Sequence, residues 1–216
     1  MLFRSSFFGN RRSWNAGPAT GSPAAERGVD DVGFIRSLIG EMRRTHRVDP
    51  RRIYVTGFSN GAGMAFRIGA ELSDLVAAIA PVANGLLLPV EKLKHPVPLL
   101  LIWGRDDPLN PIDGGVVSRG GREMVRLSAE DSWRRWAALL DCSGEPVVDR
   151  SVPRVTRRSF TGASGSAAAV LVEVAGLGHQ WPGGREVLRL VSGPGSDALD
   201  ATAEIWTFFS RISRSE

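Results

Sequence analysis

Gly57-Phe58-Ser59-Asn60-Gly61 places a serine between two glycines, where an extended run gives way to a helical one. The residues before it, Arg52-Ile53-Tyr54-Val55-Thr56, are β-branched and aromatic and predict a buried strand. The residues after it, Ala62 to Ala70, are small and apolar and predict a helix packed closely on a sheet. Strand, sharp turn and helix are the setting in which a serine becomes a nucleophile. Such a turn holds the serine backbone under strain, and Gly57 and Gly61 are expected to relieve the crowding on either side. The hydroxyl then projects into a cleft above a helix N-terminus. There the backbone N–H of Asn60 is free to donate to a developing oxyanion. A Ser-Asn-Gly turn without chemistry has the same letters, so the rest of the chain must supply a base and an acid.

The chain has three histidines. His46 lies at the basic end of a predicted helix, Met42-Arg43-Arg44-Thr45-His46-Arg47, where a cation suits the helix dipole. His95 lies in a polar loop, Lys92-Leu93-Lys94-His95-Pro96. His179 lies in the glycine-rich stretch Gly176 to Gly184, directly after the apolar run Ala169-Val170-Leu171-Val172-Glu173-Val174. Loops at the C-terminal ends of strands are where α/β sheets carry their functional groups, so His179 is the candidate base. The run Val97 to Trp103 predicts another buried strand and ends in Gly104-Arg105-Asp106-Asp107-Pro108, with Asp113 shortly beyond. Any of these three aspartates suits the acid or a turn cap.

Together these stretches resemble the secreted polyhydroxybutyrate depolymerase and feruloyl or acetylxylan esterase family of α/β-hydrolases. The match runs from about Ser13 to Phe209. It is carried by Trp14-Asn15-Ala16-Gly17, by Val29 to Ile35, by Val48 to Gly61, by Gly104 to Pro108, by Gly178 to Gly183, and by Asp200-Ala201-Thr202 before Ile205, Trp206, Phe208 and Phe209. The resemblance implies an α/β-hydrolase fold, a mainly parallel sheet flanked by helices. It implies a serine esterase acting through an acyl-enzyme on polyester or on feruloyl or acetyl polysaccharide esters, with no cofactor. It favours Asp107, the aspartate directly before proline, as the acid beside Ser59 and His179. It also implies substrate contacts for Trp181 and Trp14 and an extracellular setting. A peptidase on the same fold, or an impaired remnant or binding module that keeps the cleft, are the other readings.

The departures from the family concern the N-terminus and the cysteines. The family carries several strands upstream, ending in a His-Gly loop with a second oxyanion donor, and Met1 to Arg12 does not correspond to them. The expectation is therefore an N-terminally truncated fold in which the strand leading to Ser59 has an open edge. Cys142 is the one cysteine, so the chain can form no internal disulfide; its family partner position holds Ala163.

Composition excludes other classes of function. The chain has 216 residues, enough for one domain with a sizeable core, and its 43% hydrophobic content is ordinary for a globular protein. No apolar run approaches the roughly 18–20 residues that span a bilayer, and the first ten residues lack the pattern of a signal peptide. The net charge of +4 is carried almost wholly by arginine in scattered pairs, such as Arg43-Arg44 and Arg157-Arg158. That scatter speaks for solvated faces and against a nucleic-acid or membrane partner. There is no metal-ligand spacing and no phosphate-binding glycine loop; oligomeric state is not legible.

The remaining expectations are positional. Residues 1–28 read as loop and residues 29–216 as a single α/β-hydrolase domain. Asp30 opens a helix with Val32, Ile35, Leu38, Ile39 and Met42 at helical spacing, and Val76 to Ala80 predicts a strand. Gly114 to Gly121 reads as flexible. Ser128 caps a helix carrying Trp133, Trp136 and Leu140. Arg154 to Phe160 and Ala168 to Val174 predict the last strands, and Asp197 or Ser196 is expected to cap a final helix.

Overall fold

Strands and helices alternate along the chain, and the strands gather into one sheet. The computed structural model describes residues 12–119, 122–162 and 167–214. Residues 1–11 of the loop-like segment, Gly120 and Gly121 of the stretch read as flexible, and Ala163 lie outside the described residues. In chain order the strands are β1 (Tyr54–Phe58), β2 (Ala78–Val82), β3 (Leu99–Gly104), β4 (Gly115–Arg119), β5 (Arg122–Arg126), β6 (Val147–Asp149), β7 (Val155–Thr161) and β8 (Ala167–Val174). The helices are α1 (Pro23–Glu26), α2 (Asp31–Thr45), α3 (Asn60–Glu71), α4 (Ala129–Leu139), α5 (Arg189–Ser192) and α6 (Ala201–Ser210). Among the described residues six strands form a sheet in the order β1-β2-β3-β8-β7-β6. The pairs from β1 to β8 are parallel, and β7 and β6 add antiparallel strands at the far side.

The period of two along each strand sorts the apolar residues into two layers. Leu99, Leu101 and Trp103 of β3 face a core with Phe66 of α3 and with Trp133 and Trp136 of α4. Leu100 and Ile102 face the opposite core, with Val172 and Val174 of β8 and Ile205 and Phe209 of α6. Helices cover both faces, so β2 and β3 are buried along their whole length and read as continuous apolar runs. Asp30 and Ser128 accept from the N–H groups of Gly33 and Asp131 and so cap α2 and α4.

Four expectations need correction. β1 is half-buried and Thr56 is exposed, because among the described residues β1 pairs only with β2 and forms the sheet's edge. The strand expected over Val76 to Ala80 begins at Ala78, since Val76 N–H still donates to Leu72 C=O in the turn that ends α3. The stretch Gly114 to Gly121, read as flexible, holds strand β4, whose Val116 pairs with Val125 of β5 in an antiparallel ladder. The cap of α6 is Asp200, whose side chain accepts from Ala203 N–H at 3.0 Å. Asp197 instead accepts from Arg154 at 2.7 Å, and that bond holds its carboxyl below the usual carboxylate range.

Candidate active site

Ser59 stands between the last residue of β1 and the first of α3, with φ 57° and ψ −117°. A non-glycine residue in that conformation costs on the order of 1–3 kcal/mol and persists only where its surroundings hold it. Here the holding is visible. Ser59 N–H donates to Val82 C=O at 2.9 Å, and Ser59 C=O accepts from Ala62 and Gly63 N–H and from Asn84 Nδ2 at 3.0 Å. The two flanking glycines differ in what they contribute. A Cβ on Gly57 would lie 2.2 Å from the Gly61 carbonyl oxygen, whereas a Cβ on Gly61 would meet open space. Gly57 is therefore bare because α3 starts against it, and the expectation that Gly61 relieves crowding through its own missing side chain is not met.

His179 follows β8 and Asp107 follows β3, the two neighbours at the centre of the sheet. Asp107 is 4% exposed and His179 6%. His179 Nδ1 lies 2.7 Å from Asp107 Oδ2, and His179 Nε2 lies 2.8 Å from Ser59 Oγ. A carboxylate can only accept, so Nδ1 carries the imidazole proton and Nε2 is left to accept from the serine hydroxyl. The other carboxylate oxygen, Asp107 Oδ1, accepts from Leu109 N–H at 2.8 Å and Asn110 N–H at 2.7 Å. Those bonds fix the carboxylate plane. Asp106 points elsewhere and accepts from Gly176 N–H at 2.7 Å, which ties the exit of β3 to the exit of β8. Asp113 is exposed further along the loop. Neither His46, which is exposed, nor His95, in the loop before β3, joins the cluster.

The loop that carries His179 is itself hung on backbone. His179 N–H donates to Ser192 C=O at 2.5 Å, and Gly178 N–H to Pro194 C=O at 2.8 Å. Gln180, 5% exposed, donates from Nε2 to Val187 C=O at 2.6 Å and accepts from Val187 N–H at 3.1 Å.

Asn60 opens α3. Its N–H has no carbonyl within the helix to bond, and the first turn carries no acidic residue. Its side chain is fully engaged elsewhere: Oδ1 accepts from Trp14 N–H at 2.6 Å and Nδ2 donates to Trp14 C=O at 3.1 Å. The Trp14 backbone is thus clasped beside the serine, while its ring lies 6.4 Å from that of Phe34. Trp181 is half-buried on the other core and donates from Nε1 to Thr202 Oγ1 at 3.2 Å. Phe58 packs beside the base, its ring centroid 4.8 Å from the His179 ring and 6.5 Å from that of Trp181. The sequence reading passed over Phe58, Asn84 and Asn110. Phe58 was signalled by its place before the serine, but the two asparagines lie in loops whose path only the fold reveals.

Among the described residues no group of three His, Cys, Asp or Glu could hold a metal ion, and no helix is long and apolar enough to cross a membrane. Burial, with Asp141 adding to it, pushes the Cys142 thiol up and keeps it protonated at neutral pH.

Comparison with known proteins places these features in company. Feruloyl esterase B of Piromyces equi is 31% identical over 174 residues, which is 78% of this chain and 31% of that protein. NocK of Nocardia uniformis, which carries an esterase name, is 30% identical over 197 residues, 82% of this chain and 55% of that protein. Poly(3-hydroxyalkanoate) depolymerase C of Paucimonas lemoignei is 39% identical over a shorter 59 residues, 27% of this chain and 14% of that protein. The chain therefore spans 31% of the length of the first of these and 55% of the second. No family model matches it. Acetyl xylan esterase from Aspergillus awamori superposes with a TM-score of 0.50 at 12% identity, covering 68% of this chain and 61% of that one, which supports the α/β-hydrolase fold.

Proposed function

We propose, for a chain homologous to the feruloyl esterase, acetylxylan esterase and polyhydroxyalkanoate depolymerase group of α/β-hydrolases, that it hydrolyses carboxylic esters by serine catalysis. The observation that carries this reading is the unbroken path from Ser59 Oγ through His179 to Asp107, two contacts of 2.8 and 2.7 Å. His179 takes the hydroxyl proton as Ser59 attacks the ester carbonyl, and Asp107 stabilises the imidazolium that forms. The Asn60 N–H, at the positive end of α3, receives the oxyanion. His179 then gives its proton to the leaving alcohol, and a water that it activates releases the acid from the acyl-enzyme.

Trp181 and Trp14 are assigned to the substrate walls, and Phe58 packs against the base with ring centroids 4.8 Å apart. The names of the relatives point to feruloyl and acetylxylan esters and to hydroxyalkanoate polyester as substrate classes, and the family resemblance alone supports an extracellular setting. The test is stopped-flow hydrolysis of a soluble p-nitrophenyl ester beside a p-nitroanilide peptide, for the wild type and for Ser59→Ala. A burst of nitrophenol, absent from Ser59→Ala, supports the acyl-enzyme. Turnover of the anilide in preference to the ester would make the chain a peptidase. A folded wild type that turns over neither would leave a cleft that binds without reacting.

A further inference from the structure

We propose that two buried asparagines, Asn84 and Asn110, are positioning residues that lock the acid loop to the nucleophile turn. The inference rests on the serine-hydrolase reading above and adds to it two groups that touch none of the reacting atoms. Both side chains are buried. Asn110 donates from Nδ2 to Ala83 C=O at 2.7 Å, while its backbone N–H holds Asp107 Oδ1 and its C=O accepts from Trp103 Nε1 at 2.9 Å. Asn84 donates from Nδ2 to Ser59 C=O at 3.0 Å, and its Oδ1 accepts from Gly85 N–H at 3.0 Å.

These bonds close a ring. From Ser59 Oγ it runs through His179 and Asp107 to Asn110, across to Ala83, along the chain to Asn84 and back to the Ser59 carbonyl. Ala83, at the exit of β2, is the hinge of that ring. Its φ of 61° is left-handed and non-glycine, a strained conformation kept by its N–H bond to Ile102 C=O and its carbonyl bond to Asn110. The strain makes sense if the turn has to aim a carbonyl at one loop and an amide at the other. Ser59 leaves an edge strand and Asp107 a central one, and the ring ties their exits together beyond what the strand pairing fixes. An error of about 1 Å in the distance between them can cost roughly 10²-fold in rate.

The test uses the rate constant and the final stoichiometry of fluorophosphonate labelling of Ser59, which need no knowledge of the natural ester. Asn110→Ala cuts the ring between the acid loop and Ala83, and Asn84→Ala cuts it at the Ser59 carbonyl; both leave the backbone N–H bonds to Asp107 Oδ1 in place. Each is expected to label about 10²-fold more slowly than the wild type. Each is also expected to reach the final stoichiometry of the wild type, because a displaced turn slows the reaction without emptying the folded state. Either variant alone carries the test if the other fails to fold. A wild-type rate constant overturns the inference. So does a slower rate that only tracks a loss of stoichiometry, which reports a smaller folded fraction and nothing about position. A wild type that does not label at all overturns the serine-hydrolase reading, and the inference with it.

Discussion

Ser59 and Asp107 lie at opposite ends of one hydrogen-bonded path, yet they stand on unequal ground. Asp107 leaves β3, a strand buried along its whole length with paired neighbours on both sides. Ser59 leaves β1, half-buried and paired on one side among the described residues. The central strand needs no special device, because packing on two faces already fixes its exit. The edge strand is held by particular contacts instead: a glycine against a carbonyl, a backbone bond to Val82 and an amide from Asn84. The more strained residue therefore sits on the less supported strand, and its support is local and can be mutated piece by piece.

The largest effects should come from breaking the path itself. Ser59→Ala is expected to lower ester turnover by roughly 10⁴–10⁶, and Asp107→Asn by about 10⁴ through the wrong imidazole tautomer, both read as kcat with folding checked by circular dichroism. Ser59→Gly should separate function from strain. Turnover is lost, but glycine accepts φ 57° freely, so a net stabilisation of about 1 kcal/mol is expected in urea unfolding. A loss of stability would mean that the turn stores no strain.

The two glycines beside Ser59 sharpen the comparison further. Gly57→Ala drives a Cβ into the Gly61 carbonyl and should destabilise by about 1–3 kcal/mol, with loss of activity as the turn shifts. Gly61→Ala meets open space in the first turn of α3 and should stabilise by about 0.4–1 kcal/mol. Equal effects would show that the pair acts as one unit.

Smaller effects are expected on the far side of the sheet. Asp200→Ala removes the α6 cap and should cost about 1 kcal/mol. Asp197→Ala, at an exposed ion pair, should be close to neutral at pH 7. Its carboxyl is held low by Arg154, so whatever the pair contributes is present at neutral pH and is lost as the solution is acidified through the carboxylate range. Reversal of the order of these two variants would show that α6 is capped elsewhere.

Much of this was legible in the chain. Period-two and period-3.6 patterns predicted the strands and helices, with boundaries missed by about two residues where helix exits kept their own hydrogen bonds. The strand–turn–helix reading of Ser59 and the strand-exit positions of Asp107 and His179 needed only local sequence. What was not legible depends on contacts between distant segments. The sequence could not say which glycine beside Ser59 matters, since both read alike and only the approach of the Gly61 carbonyl separates them. Nor could it find Asn84 and Asn110, which look like loop polars until β2 and β3 lie side by side. The glycines after Asp113 suggested flexibility because a hairpin's cross-strand pairing has no local signature there.

The most direct measurement of the central claim is to label the wild-type chain with a fluorophosphonate and map the modified residue by mass spectrometry, with Ser59→Ala as control. One modification is expected, at Ser59 and absent from the control. No modification of a folded wild type, or the same modification in the control, would contradict that claim.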